Sequence, residues 1–471
     1  MENVQPLAPE DISAIATSLK AVLDAQRIEA ANIDSWINPG TAHGFKTPPK
    51  ASPEHKALAD LARTPWLGLV VTNVAQAMYV DNVVGANGAV PNLWRVWLDN
   101  NMQARQVSNH RAMVSYGQTF GVVMPAVENG KDTARMRCLS PRRMACQWND
   151  AGTDLYPEYA LEALSASTKE RRYRLYTPYF AYDIIDRDDA PYTVVGSVNH
   201  GIGVTPVVRF SNMLDLDGNA VGEVKPFIPT ASRINKTSYD RLLAQHFNSW
   251  KVRTIAGMQL PENENDPEAE ASAIAQEKMR LAQEDILISE DENTRFGTLD
   301  ATGLDTFVTA WRADIEALAA VSQTPAHALT GQLVNLNAEA LAAARSPLTQ
   351  KVYERQVNAG ASYGRMLRLA ASVTDMDDAA ADSMIRVTWQ DMEIRSMSQA
   401  VDALGKAATM LKIPARGLWN RIPGVERSDV QEWERLAEKD NDNDPLNAVL
   451  RRHSAATTDT SATTTDSDPE V

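Results

Sequence analysis

The sequence is poor in the residues on which disulfide, metal and much nucleophilic chemistry depends. Its 471 residues include two cysteines and seven histidines, and aromatic residues make up 6% of the chain. Cys138 and Cys146 cannot supply a disulfide framework or a Cys-x-x-Cys metal site. We therefore expect both thiols to be buried and reduced.

The motifs that mark common enzyme sites are missing as well. The histidines form no His-Glu-x-x-His pair, and the sequence has no Gly-x-Ser-x-Gly elbow. The segment GIGV (201–204) does not extend to a dinucleotide fingerprint and lies between two predicted strands, so it indicates a turn. Glu284 and Asp285 are adjacent, would point apart on a helix and have no phosphate loop beside them. The residues alone predict no catalytic residue, no metal site and no cofactor.

Positive charge is in deficit, and long apolar runs are absent. Lys and Arg total 46 against 61 Asp and Glu, which gives a net charge of −15. So acidic a surface repels nucleic-acid phosphates and argues against a sequence-specific reader. The N-terminal MENVQPLAPEDI has no apolar signal core, and the run near Trp66–Val71 is far too short to span a bilayer. We expect a protein that is cytosolic or is assembled in the cytosol.

The length of the chain corresponds to about three domains, and its apolar periodicity predicts an α+β fold. Helical spacing extends from Pro9 to about Asp99, interrupted by a loop rich in Gly and Pro, and a further helix covers Asn100 to Tyr116. Short runs rich in β-branched and aromatic residues then predict antiparallel strands as far as about residue 212. A helical lead followed by such strands is typical of an α+β domain, here of about 230 residues.

Two amphipathic helices bracket the most acidic segment of the chain. We predict helices over 231–258 and over 301–322, the second ending before Thr324-Pro325. Between them, residues 259–293 carry eleven Asp or Glu against one Lys and one Arg, a net charge of −9. The charge run is either a solvated face or a functional surface, and the residues leave both readings open.

The remaining segments are mostly helical. An irregular connection precedes a long Ala-rich helix from Ala338 to Ser372, in which Pro347 predicts a kink or a break. A short strand and three helical pieces follow, and the Asp-, Asn-, Ser- and Thr-rich tail from Asp440 is expected to be disordered. Arg142 and Arg143 suggest a phosphate clamp, but in an acidic chain we expect them to form ion pairs.

Six stretches together resemble the portal proteins of tailed bacteriophages, in particular the branch common in phages of actinobacteria. They are spread from about residue 60 to about residue 435, so the resemblance covers most of the chain. Each stretch is weak alone, and their order and spacing carry the specificity. The stretches are LARTPWLGLVVTNVAQAMYVD (61–81), NHRAMVSYGQTFGVV (109–123), LSPRRMACQWND (139–150), INKTSYDRLLAQHFNSWKVRTIAGM (234–258), LAAVSQTPAHALTGQLVNLNAEALAAARSP (318–347) and MSQAVDALGKAATMLKIP (397–414).

The resemblance implies an α+β portal-type fold with a wing, a helical stem, an α/β clip and a helical crown, assembling as a ring. The resemblance assigns the domains of the family to the segments described above. The wing would be 1–230, the stem helices 231–258 and 301–322, the clip 259–300, the tunnel loop 323–338, the wing return 339–395 and the crown 396–440. Residues 441–471 lie beyond the family's pattern.

Three groups of site residues follow from this implied division. Phe307, Trp311 and Ile315 would pack the stem, and Asn337 would either face DNA or cap the helix that follows it. The DNA-facing residues of the tunnel loop would be His327, Gln332, Asn335 and Asn337. The acidic clip residues that face a motor or adaptor would be Glu262, Glu264, Asp266, Glu268, Glu270 and Glu277.

The resemblance also implies a function without chemistry of its own. Family members form a ring, usually of twelve copies, at one vertex of the capsid, and double-stranded DNA passes through it during packaging and ejection. The implied partners are further copies of the chain, the terminase large subunit, a head–tail adaptor, the scaffold and the major capsid protein, with no membrane. The implied location is the virion, and the host cytoplasm during assembly. Alternatives are another virion structural protein, such as an adaptor or minor capsid protein, and a soluble hydrolase.

Overall fold

The computed structural model of the chain combines helices and antiparallel sheets, which confirms the mixed α and β class. Its contacts divide the chain into two units, residues 1–389 and residues 390–471, and each unit is described by itself. The described residues are 5–38, 52–128, 130–167, 170–187, 190–249, 253–256, 295–298, 303–331, 338–390, 397–422, 425 and 427–443.

The first unit contains ten of the helices found among the described residues. The longest are the first and the ninth, α1 and α9, which lie near opposite ends of the unit's sequence. The helices are α1 (Pro9–Ile37), α2 (Pro53–Leu61), α3 (Trp66–Ala75), α4 (Pro91–Asp99), α5 (Met102–Tyr116), α6 (Ile228–Ser249), α7 (Leu304–Val321), α8 (Ala326–Thr330), α9 (Ala338–Ser372) and α10 (Asp377–Ala381).

The strands of the first unit all pair antiparallel, as the strand signals predict. The strands are β1 (Val80–Gly85), β2 (Gly88–Ala89), β3 (Gln118–Glu128), β4 (Lys131–Leu139), β5 (Met144–Gln147), β6 (Tyr159–Ala166), β7 (Arg171–Tyr176), β8 (Phe180–Arg187), β9 (Ala190–Asn199), β10 (Val207–Ser211), β11 (Met213–Leu214), β12 (Ala220–Val221), β13 (Arg253–Ala256), β14 (Arg295–Thr298) and β15 (Arg386–Trp389). They form sheets in the orders β15-β1-β2, β10-β3-β4, β11-β12, β13-β14 and β5-β6-β7-β8-β9.

Helix α1 covers one face of the five-stranded sheet. Pro9 begins the helix, and Glu10 and Asp11 in its first turn suit the positive end of the helix dipole. The apolar stripe that the sequence predicts, including Leu19 and Leu23, packs on Leu161, Tyr173 and other inward-facing residues of the sheet. The predicted amphipathic face is therefore buried as expected.

Helix α9 is the centre of the main core. Tyr363, Met366 and Leu367 are fully buried among residues from α3, α4, α5, β3, β10 and β15. Gly364 lets the helix approach β15 closely, because a Cβ there would lie 2.6 Å from the carbonyl oxygen of Ile385. A side chain at this position would push the strand away, so the glycine is required by packing rather than by flexibility.

Several local predictions differ from the structure. The helical lead contains the hairpin β1–β2, because β1 pairs with β15 about three hundred residues later in the sequence. The helix predicted over 231–258 runs from Ile228 to Ser249, and residues 253–256 form a strand instead. The long helix continues from Ala338 through Pro347 to Ser372 without a break. The sequence predicts one strand-like run over RRYRLYTPYFAYDII (171–185), and the structure has two strands there, β7 and β8, joined by a turn at Thr177.

The second unit is helical in its described residues. Helix α11 (Met397–Met410) is followed by a 3₁₀ segment (Ala415–Arg421) and by α12 (Arg427–Asn443). Trp419 of the 3₁₀ segment meets Trp433 of α12 edge to face, with ring centroids 6.1 Å apart. Because α12 extends to Asn443, the first residues of the tail predicted to be disordered are helical, and residues 444–471 lie outside the described residues.

Candidate functional site

Helices α6 and α7 lie side by side and run antiparallel. The carboxylate of Asp314 on α7 accepts hydrogen bonds from two residues of α6, Arg233 Nε at 2.8 Å and Thr237 Oγ1 at 3.1 Å. One turn further along α6, the Arg241 guanidinium lies 5.7 Å from the centre of the Trp311 ring. These contacts advance along α6 as they move back along α7, which is the arrangement of a helical hairpin.

The far ends of the two helices are joined by a β-ladder. Strand β13 follows α6, β14 precedes α7, and the two pair antiparallel with Arg253 opposite Thr298 and Ala256 opposite Arg295. The chain therefore leaves α6 and returns to α7 at the same place. The acidic segment between the two strands begins and ends at this ladder.

The three predicted stem residues differ in their surroundings. Ile315 is fully buried in the main core, and Trp311 is half-buried and meets Trp66 of α3 edge to face at 6.0 Å. Phe307 lies about two turns before Ile315, nearer to the β-ladder, and is half-buried. One face of α7 thus packs on the body of its own chain, while Arg312 and Glu316 on the opposite face are exposed.

A buried ionic cluster ties the base of the helical hairpin to α9. Glu223, just before α6, accepts from Lys351 Nζ at 2.6 Å and from Arg355 Nη2 at 2.9 Å. Lys351 Nζ also donates to the carbonyl oxygen of Ser322 at the end of α7, at 2.8 Å. Asn212 Nδ2 donates to Glu223 at 3.2 Å. The cluster therefore connects the start of α6, the end of α7 and the middle of α9.

Electrostatics favours the charged form of this cluster. Burial acts to raise the pKa of Glu223, but Lys351 and Arg355 outweigh it and hold that pKa below its ordinary value. Burial lowers the pKa of Lys351, and Glu223 opposes that shift. The side chains of Glu223, Lys351 and Arg355 are each about 95% buried or more. Removal of one of them therefore leaves an uncompensated charge in the interior.

A second buried network lies beside α9 and is structural in character. His110 Nδ1 lies 3.1 Å from the carbonyl oxygen of Met78, so Nδ1 donates and Nε2 accepts from the Tyr363 hydroxyl at 3.0 Å. Asn109 Nδ2 donates to the Tyr363 oxygen at 3.2 Å, and Thr119 Oγ1 donates to Asn109 Oδ1 at 2.6 Å. Burial lowers the pKa of His110 to about 4, so the ring is neutral near pH 7.

The part of the chain that the structure describes holds no group of three or more His, Cys, Asp or Glu arranged to bind a metal ion. Among the same residues, every helix is too short or too polar to cross a lipid bilayer. Cys138 and Cys146 are free and half-buried, and burial raises the pKa of Cys138 to about 12. That thiol is therefore protonated and unreactive at neutral pH.

The other candidate residues fall in different places. His327 is half-buried on the short helix α8, and its carbonyl oxygen accepts from the Gly331 N–H at the end of that helix. Arg142 forms an ion pair with Asp34 at 2.6 Å and Arg143 one with Glu162 at 3.4 Å, which confirms the ion-pair prediction. Outside the described residues lie Gln332, Asn335, Asn337, Glu262, Glu264, Asp266, Glu268, Glu270 and Glu277.

Sequence reasoning missed Glu223, Lys351 and Arg355. A signal was present, because Lys351 and Arg355 lie four residues apart and in line with the buried Ala359 and Tyr363 on the core-facing side of α9. Charged residues in an apolar stripe indicate a buried partner of opposite charge. The identity of that partner depends on a contact between residues more than a hundred positions apart.

Sequence and structure comparisons identify similar proteins. The family described as "Phage portal protein, SPP1 Gp6-like" matches residues 19–446. A protein named "Portal protein" from Mycobacterium phage L5 is 24% identical over 363 residues, which cover 74% of this chain and 72% of the relative. A chain in the solved structure titled "Neck of native GTA particle computed with C12 symmetry" is 12% identical with a TM-score of 0.43, covering 81% of this chain and 99% of the other.

The family match extends across nearly all the elements described above. It begins within α1 and ends just beyond α12, so it includes the helical hairpin, the ionic cluster and the helices of the second unit. The resemblance seen in the six stretches of sequence is confirmed. The chain belongs to the SPP1 Gp6-like family of phage portal proteins, which are structural, non-enzymatic components of the virion.

Proposed function

We propose that copies of this chain close into a ring at one vertex of the capsid, and that double-stranded DNA enters and leaves through its channel. The observation that carries the proposal is the antiparallel pair α6–α7, whose base is fixed to the body by the Glu223 cluster. A rigid hairpin repeated around an axis forms a wall. In this assignment α6 and α7 are the stem, and residues 259–300 are the clip.

A ring also requires two surfaces that meet on neighbouring copies. Helix α9 offers a candidate for one of them, because Tyr353 and Val357 lie one turn apart and are 68% and 53% exposed. Val321, at the end of α7, is 57% exposed. Exposed apolar side chains on helices that are otherwise well packed are typical of contact surfaces. The proposal assigns Tyr353 and Val357 to the contact with the next copy.

The net negative charge of the chain is compatible with a channel through which DNA passes. Each copy carries −15, so a ring of about twelve carries about −180. An acidic wall repels DNA phosphates over roughly a Debye length, about 8 Å at physiological salt. A basic wall would instead hold the duplex through counterion release and slow its passage. His327, Gln332, Asn335 and Asn337 would then contact DNA through uncharged polar groups.

The acidic clip is the proposed docking surface for other components. Glu262, Glu264, Asp266 and the acidic residues that follow them would face the terminase motor during packaging and the adaptor afterwards. The scaffold and the major capsid protein would contact the ring during assembly in the host cytoplasm. The segment begins and ends at the β13–β14 ladder, which would present it at one end of the stem.

Native mass spectrometry of the purified full-length chain tests the ring. A ring of about twelve 51.7 kDa copies would have a mass of about 620 kDa. A narrow distribution of closed oligomers of several hundred kilodaltons would support the proposal. Single copies at every salt and protein concentration tested would overturn it.

A further inference from the structure

Two adjoining loops of the first unit expose three leucines. Leu216 lies in the turn of the hairpin β11–β12 and is 98% exposed, and Leu214 at the end of β11 is exposed as well. Leu155, in the loop between β5 and β6, is 55% exposed. Single exposed leucines are ordinary, but several in adjoining loops are typical of a contact surface. Leu155, Leu214 and Leu216 are called the leucine patch below.

The backbones of the two loops are in direct contact. Gly152 lies against Leu216, since a Cβ at this glycine would be 2.3 Å from the Leu216 carbonyl oxygen. Arg209, which is buried, joins the loops with one guanidinium group. Its Nη2 donates to the carbonyl oxygen of Ala151 at 2.6 Å, and its Nη1 donates to that of Gly218 at 3.1 Å. These contacts fix the position of one loop relative to the other.

Each loop is also ordered internally by an aspartate. Asp150 Oδ1 accepts from the backbone N–H of Gly152 at 2.9 Å. Asp215 Oδ1 accepts from the backbone N–H of Asn219 at 2.7 Å, and its Oδ2 accepts from Asn219 Nδ2 at 2.9 Å. A side chain on an ordered loop loses less conformational freedom when it binds than one on a flexible loop. The exposed Leu216 therefore stands on a backbone that is already arranged for contact.

The charged side chains of the two loops are all negative. Residues 149–155 and 213–221 contain four aspartates and neither lysine nor arginine. In the part of the chain that the structure describes, none of the four forms an ion pair. Hydrogen bonds hold the pKa of Asp150 and of Asp215 below its ordinary value, so both carboxylates are charged at neutral pH. The four aspartates are Asp150, Asp154, Asp215 and Asp217.

We infer that the leucine patch docks on a different virion protein, in an apolar pocket whose rim carries lysine or arginine. An apolar anchor that enters a pocket, with opposite charges around it, is the usual arrangement of a specific protein contact. DNA is a poor partner, because the aspartates repel its phosphates. A second copy of this chain is also disfavoured, since its net charge of −15 has the same sign. Docking of this kind requires that the chain be part of the virion, and not that it form a ring.

Photo-crosslinking in assembled particles tests this contact. The photoreactive amino acid p-benzoylphenylalanine replaces Leu216 in the full-length chain, in cells that also supply the natural chain and the other virion proteins. Assembly then does not depend on the variant. After irradiation of purified particles, mass spectrometry should identify a crosslink to a segment of a different virion protein that is rich in lysine or arginine. The same amino acid at Ile28, an exposed residue of α1, is the control and should not crosslink to that segment.

Charge reversal tests the electrostatic part of the inference separately. Asp217→Lys should lower the crosslink yield from position 216 by about tenfold, because a lysine would then face the basic rim. Asp217 is exposed, and among the described residues its carboxylate accepts no hydrogen bond, so the fold should be preserved. Asp132→Lys, at an exposed position on β4, is the matched control and should leave the yield unchanged.

Circular dichroism of each purified chain establishes that it is folded, and the same probe at Leu155 provides the test if position 216 does not tolerate it. Four outcomes would overturn the inference. They are a crosslink to another copy of this chain or to DNA, a crosslink to a segment without lysine or arginine, a yield no higher than at position 28, and an unchanged yield in Asp217→Lys.

Discussion

At the scale of single residues, the interior of this protein depends on a few polar side chains placed among apolar ones. His110, Tyr363 and Asn109 form a continuous hydrogen-bond chain in which each group has a partner. Glu223, Lys351 and Arg355 form a buried cluster of full charges in which the carboxylate accepts from both cations. Satisfied polar groups of this kind fix one arrangement of the core, because any other arrangement leaves donors or charges unpaired.

His110 predicts a pH dependence of stability. Its pKa is about 4 in the folded chain and 6.5 when unfolded, so between these values the unfolded chain binds a proton that the folded chain does not. The contribution of neutral His110 to the free energy of unfolding is fully present above pH 6.5. It is lost as the pH falls toward 4, by about 3 kcal/mol in total. Urea denaturation across this range should show the loss.

The matched variant for this prediction is His110→Gln. The glutamine amide can donate and accept in place of the ring, and it does not titrate. The variant should have a smaller fall in unfolding free energy between pH 6.5 and 4, while His246→Gln on α6 should keep the fall of the natural chain. Equal slopes in the natural chain and His110→Gln would show that this ring does not govern the pH dependence.

Glu223 predicts a large loss of stability on neutralisation. Glu223→Gln leaves Lys351 and Arg355 buried without a counter-charge, so we expect the free energy of unfolding to fall by about 3–5 kcal/mol. Glu29→Gln provides the control, because Glu29 pairs with Lys225 on the exposed surface, and its loss should cost about 1 kcal/mol or less. Similar costs for the two variants in urea denaturation would contradict the role given to the cluster.

At the scale of elements, the hairpin α6–α7 is the part that carries the proposed function. Its helices are recognisable in the sequence because their apolar residues recur at helical spacing, and α7 begins and ends within three residues of the predicted bounds. The end of α6 is not recognisable in this way. Residues 253–256 form a strand because β14 supplies a partner, and no local pattern contains that information.

The packing of α7 on the body gives a test at this scale. Ile315 is fully buried, so Ile315→Ala should lower the free energy of unfolding by about 2–5 kcal/mol. Val308→Ala on the same helix removes a half-buried side chain and should cost about 1 kcal/mol or less. Urea denaturation at matched protein concentration measures both. A cost at Val308 equal to that at Ile315 would contradict the burial of only one face.

Other elements show the limits of sequence reasoning in the same terms. The strands β3 to β9 follow from alternation and turn residues, and the prediction for them holds because their antiparallel neighbours within β3–β4 and β5–β9 are close in sequence. The hairpin β1–β2 lies in a segment with helical spacing, and its pairing with β15 is a long-range contact. The ionic cluster at Glu223 is a contact of the same kind.

At the scale of the whole molecule, family membership could be inferred from six short stretches because their order is specific. The structural role follows from membership of the portal protein family. Copy number and the contacts between copies remain proposals, since one chain contains each surface but not its partner. The exposed apolar pair Tyr353 and Val357 is the most specific proposal at this scale.

Replacing that pair predicts loss of assembly without loss of folding. In the Tyr353→Ser/Val357→Ser double variant, the ring contact loses its apolar area, whereas the exposed positions cost the single chain about 0.5 kcal/mol or less. Size-exclusion chromatography with light scattering should show a shift from large oligomers toward single copies. Leu61→Ser, at a 73% exposed leucine on α2, is the matched control and should assemble normally.

The most direct test of the central claim is electron microscopy of the purified full-length protein. The account predicts end-on views of a closed ring with a central channel wide enough to admit a DNA duplex, and a reconstruction in which α6 and α7 line that channel. Particles without a channel, or a ring in which the α6–α7 hairpin lies on the outer surface, would contradict it.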